Sequence, residues 1–128
     1  MTVAGNTYAA GIVAQSASGT TVTNTGGSIS ATAKTGSAFG IIAVSVDGDV
    51  VVDNASSITV GSQQAAATGI RASSVYGNVQ VGNTADISGT AQGNIFAIQA
   101  LAGGDVAIDN AAAVNLHSAA GNAIGLYG

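Results

Sequence analysis

Six aspartates and one histidine carry most of the acid–base chemistry this chain could perform. Asp47, Asp49 and Asp53 fall close together, Asp105 and Asp109 form a second group, Asp86 stands alone, there is no glutamate, and His117 is the only imidazole. Glycoside hydrolysis needs two carboxyl groups about 5–9.5 Å apart, one of them desolvated. Asp49 and Asp105 could meet the distance, but both sit in turn sequences with nothing bulky nearby to strip water from either. Calcium would accept Asp47 and Asp49, yet the matching positions of the intervening repeat hold Asn78 and Gly82. No serine stands in a G-x-S-x-G setting, and the absence of cysteine removes thiolate nucleophiles and thiolate metal sites. The residues therefore predict no catalytic, cofactor or metal site, and the chain is expected not to be an enzyme.

The side chains with the most regular spacing are amides. Asn24, Asn54, Asn83 and Asn110 follow one another at intervals of 30, 29 and 27 residues. Stacked ~4.8 Å apart, they could present a ridge to carbohydrate, or bond amide to amide as a structural ladder. A ladder explains why every copy has one, and it is the expected role. Phe39 and Phe96 share one repeat position with Ala10 and Ile124 and are expected to pack into a corner, whereas Ile42, Val44 and Leu101 are expected to point outward. Such an outward apolar stripe could serve a partner. His117 belongs on an outward position of another face.

What must position these residues is a repeat. The segments AGIVAQS, FGIIAVS, TGIRASS and FAIQALA, with a shortened IGLYG, place Ile12, Ile41, Ile70, Ile98 and Leu126 at intervals of 29, 29, 28 and 28. A second block (GTTVTN, GDVVVDN, GNVQVGN, GGDVAIDN) ends at the asparagines, and a third begins at Ile29, Ile58, Ile87 and Val114. Within each block apolar residues alternate with period two, which predicts three short strands per repeat separated by Gly-, Ser-, Asn- and Asp-rich turns. Stacking the repeats yields inward columns: Ile12, Ile41, Ile70, Ile98, Leu126; then Val22, Val52, Val81, Ile108; then Ile29, Ile58, Ile87, Val114. Outward positions such as Val13, Ile42, Arg71 and Gln99 share no chemistry. The expected fold is all-β, a parallel β-helix (solenoid) of the right-handed kind, with about 4.5 rungs of roughly 27–30 residues.

Composition narrows the partners. Two basic residues against six acidic ones give a net charge of −4, which excludes the electrostatic footprint of a nucleic-acid binder. With 47% hydrophobic and 6% charged residues the chain is far from the disordered class. No apolar run is long enough to span a bilayer, and five aromatic residues are too few for the girdles of a membrane barrel, so no membrane insertion by this segment is expected.

The order GIxAxS, then GDVxVDN, then a third strand opening on Ile, repeated from Ile12 to Gly128, resembles the passenger-domain β-helix repeats of bacterial autotransporters. That resemblance implies a secreted, cell-surface rod used in adhesion, aggregation or display, with a host or surface glycan or protein as partner. It also implies Asn-x-Gly before the third strand, as in Asn24-Thr25-Gly26, whereas Ser56, Ala85 and Ala112 stand at the glycine position of later copies. If that turn needs positive φ, each replacement costs on the order of 1 kcal/mol. Residues 1–128 read as one solenoid segment opening on a third-strand equivalent and stopping inside a first strand, as expected of a piece excised from, or engineered on, a longer repeat protein. Open end rungs could also let copies stack end to end into filaments.

Overall fold

A computed structural model describes all of Met1–Gly128 and contains strands and turns only. The elements are β1 (Thr2–Gly5), β2 (Tyr8–Ser16), β3 (Thr20–Asn24), β4 (Ser28–Ala33), β5 (Ser37–Ser45), β6 (Val50–Asn54), β7 (Ser57–Ser62), β8 (Ala67–Ser74), β9 (Val79–Asn83), β10 (Ile87–Ala91), β11 (Ile95–Ala102), β12 (Val106–Asn110), β13 (Val114–Ser118) and β14 (Ala123–Tyr127). Every third strand joins the same sheet, always in parallel. The three sheets run β1-β4-β7-β10-β13, β2-β5-β8-β11-β14 and β3-β6-β9-β12. We call them the first, second and third sheets. The result is a β-solenoid of about four turns with three strands per rung, as the repeat predicts.

Strand registers match the expected columns residue for residue. Ile12 pairs with Ile41, Ile41 with Ile70, Ile70 with Ile98, and Ile98 with Leu126. Val22, Val52, Val81 and Ile108 stack likewise, as do Ile29, Ile58, Ile87 and Val114. Members of the inner rungs are buried, each contributing roughly 1.5–3 kcal/mol. Ile12, Ile108 and Val114 are only half-buried and Leu126 is 49% exposed, since each has a neighbouring rung on one side alone.

The long strands of the second sheet carry a feature that period-two reading does not reveal. Pairing passes over Gly11, Gly40, Gly69, Ala97 and Gly125, resuming with the Ile or Leu that follows each. Gly69 and Ile70 are both buried, so two successive residues face the interior and the alternation shifts by one. Glycine suits that place because a Cβ on Gly69 would stand 2.6 Å from Ile87 Cγ2 and 2.6 Å from the Ala97 carbonyl oxygen. This shift corrects the reading of Phe39 and Phe96: upstream of it they turn outward rather than into a corner.

Serine hydroxyls shape two of the corners. Ser74 Oγ donates to the Gly48 carbonyl of the preceding rung at 2.8 Å and accepts from Gly77 N–H at 2.9 Å. Ser62 does the same with Gly36 and Ala65, and Ser118 with Gly93 and Gly121. Each hydroxyl closes its own turn and ties it to the rung before. The sequence signal is Ser followed three residues later by Gly, as in Ser45–Gly48, Ser74–Gly77 and Ser118–Gly121.

The turns at Ser56, Ala85 and Ala112 are not left-handed. No residue other than glycine has positive φ, and the positive-φ glycines are Gly19 and Gly27, not Gly26. The first rung places Ile29 five residues beyond Asn24, where later rungs need four, and Gly27 (φ 84°) lies within that longer turn. Alanine and serine in the shorter turns are therefore unstrained.

Candidate functional surfaces

The asparagine column forms a continuous ladder. Asn24 Nδ2 donates to Asn54 Oδ1 at 2.8 Å, Asn54 Nδ2 to Asn83 Oδ1 at 2.7 Å, and Asn83 Nδ2 to Asn110 Oδ1 at 2.6 Å. The second hydrogen of Asn54, Asn83 and Asn110 goes to a main-chain carbonyl two residues on, that of Ser56, Ala85 and Ala112. Asn54 is 2% exposed and also accepts Ser56 N–H at 3.4 Å, so both donors and both acceptor sites are engaged. An amide so engaged has nothing left for a sugar.

Aspartate places itself in the same service. Asp49 Oδ1 accepts Asn78 N–H at 2.8 Å, and Asn78 Oδ1 accepts Asp105 N–H at 2.8 Å. Asp86 Oδ1 accepts Ala113 N–H at 3.1 Å, and Asn94 Oδ1 accepts Asn122 N–H at 3.0 Å. Asp49, like Asp86, is an exposed turn residue, and the carboxylates of both cap main-chain donors of the following rung. Asn78 stands between Asp49 and Asp105, and no group of three or more His, Asp or Glu side chains gathers anywhere.

With those polar groups used inside the scaffold, the three outer faces differ in chemistry. The first sheet presents small polar residues: Ser30, Thr59, Ser88 and Asn115 in one column, Thr32, Gly61, Thr90 and His117 in the next. A shallow groove of about 500 Å³ runs along it, with Lys34, Gln63 and Gln92 on its rim and Gly61 as a notch between Thr32 and Thr90. The third sheet is mixed and acidic, with Thr23, Asp53, Gly82 and Asp109 in register.

The second sheet is aromatic and aliphatic. Tyr8 and Phe39 pack with ring centroids 5.7 Å apart, and Phe96 meets Tyr127 edge-on at 5.9 Å. Arg71 lies in the rung between these pairs, its Cζ 6.0 Å from the centre of the Phe39 ring. Val44 and Leu101 share the face and Leu101 is exposed, as expected, whereas Ile42 is covered to 8% exposure between Val13 and Arg71. Nothing in the residue order signals this aromatic cluster, because the strand shift decides which way Phe39 and Phe96 point.

Comparison with known proteins yields no match: no family model, no curated protein and no solved structure is similar to this chain.

Proposed function

We propose that this chain is a non-enzymatic structural β-helix rod segment of a secreted bacterial surface protein, of the adhesin or autotransporter-passenger type. Its task is geometric. Rungs spaced ~4.8 Å apart hold outward side chains in fixed rows and keep whatever the rod carries at a set distance. The observation that supports this reading is the use of the polar side chains. The asparagine ladder and the carboxylate of Asp49 are spent on joining one rung to the next, which suits a scaffold and leaves little for a reaction centre. Host or surface protein and glycan are the partners such a rod would meet.

A second reading, end-to-end stacking of copies into filaments, has one specific observation in its favour: β1, β2 and β3, like β12, β13 and β14, are bonded on one side only. Sedimentation velocity over a wide concentration range, with electron microscopy of the most concentrated sample, separates the two. A monomer near 12.1 kDa supports the rod. Thin unbranched fibres overturn it in favour of stacking.

A further inference from the structure

We infer that the outer face of the second sheet is a docking surface for an amphipathic helix of another protein, one that sets a single carboxylate among apolar side chains. Four of the five aromatic residues and the only arginine lie on this one face. They follow one another rung by rung: Tyr8 and Phe39 before β8, Arg71 on it, Phe96 and Tyr127 after, with Phe39 and Phe96 in one column and Tyr127 in that of Arg71. Aromatic side chains with arginine are the composition of an interface centre.

Charge complementarity defines the partner. Arg71 is exposed, and the registers of β2, β5, β8, β11 and β14 place no aspartate on their sheet. The guanidinium rests over Phe39, pre-positioned to take a carboxylate in a two-pronged bond. A second copy does not satisfy it, because a two-fold contact sets this face against itself and the face has no acid to meet Arg71. Added strands are excluded at the centre, where β5, β8 and β11 are bonded on both sides.

Spacing favours a helix laid along the solenoid axis. Helical turns rise ~5.4 Å and the rungs ~4.8 Å, so successive turns fall on successive rungs over a short contact. With the acid opposite Arg71, residues three or four away on either side reach Phe39 and Phe96, and residues seven away reach Tyr8 and Tyr127.

The test is selection of a displayed library of helix-forming peptides, about 15 residues long and randomised on one face, against the whole chain. The expected winners carry Asp or Glu at one central position, with apolar residues at three or four and at seven positions to either side. A synthetic winner should bind Arg71→Gln at least about tenfold more weakly, and Phe39→Ser and Phe96→Ser likewise, with Tyr76→Ser at a turn unchanged. Sedimentation and thermal melting of each variant show whether it is folded and establish the rod independently of binding. Failure to enrich, winners without an acid, or undiminished binding to folded Arg71→Gln would each overturn the proposal.

Discussion

Gly69 and Ile87 share one space, the missing side chain of the first being filled by Cγ2 of the second. In the next rung alanine stands at the glycine position as Ala97, fully buried, and valine at the isoleucine position as Val114, which pairs with Ile87. Gly69→Ala should cost about 2–3 kcal/mol by overpacking, and Ile87→Ala, which removes the Cγ2 that stands in the way, about 3 kcal/mol on its own. The double variant should lose at least ~0.5 kcal/mol less than the sum, a coupling read from urea unfolding of all four proteins. The rescue stays partial because the Ala97 carbonyl oxygen is also in the way.

Asn54 is the most heavily bonded rung of the amide ladder. Its replacement by alanine leaves Asn24 Nδ2 and Asn83 Oδ1 without partners in the interior. The expected loss is about 3 kcal/mol, against about 1 kcal/mol for Asn24→Ala, whose half-buried amide makes a single ladder bond. Chemical denaturation of the two variants ranks them directly.

Ser56 carries the one buried side-chain oxygen in the protein that finds no partner. The equivalent residues Ala85 and Ala112 have no hydroxyl to bury. Ser56→Ala should stabilise the chain by about 1 kcal/mol, raising the unfolding midpoint without changing its steepness. Ala85→Ser, at a half-buried position, should lower it by less.

The first asparagine turn separates two adjacent glycines by their geometry. Gly27, at φ 84°, should lose about 1 kcal/mol on replacement by alanine. Gly26→Ala should be neutral, as Gly26 lacks positive φ and an added carbon meets nothing within 4 Å. Thermal melts of the pair distinguish the inserted residue from its neighbour.

Much of this architecture is readable from residue order because stacking imposes likeness along the axis. Ile41 lies between Ile12 and Ile70, and only a similar shape fits between them, so the inward columns announce themselves. The amide ladder is legible for the same reason. The outer surface is not. Solvent selects no likeness there, and the direction of Phe39 depends on a strand shift at Gly40 that no periodicity signals. The capping work of Asp49 was hidden too, because Asn78 performs it in the next rung with a different side chain.

The serine corners have a consequence for how such a chain can lengthen or shorten. Ser45-Val46-Asp47-Gly48 and Ser74-Val75-Tyr76-Gly77 are the same turn one rung apart. Excising residues 46–74 would join Ser45 to Val75 and rebuild a Ser-Val-Tyr-Gly corner, and duplicating them would insert a complete extra storey with both seams intact. Reach is thereby quantised: the molecule changes height in single storeys of ~4.8 Å, and genetic duplication or loss of one repeat alters span without disturbing the joints above and below.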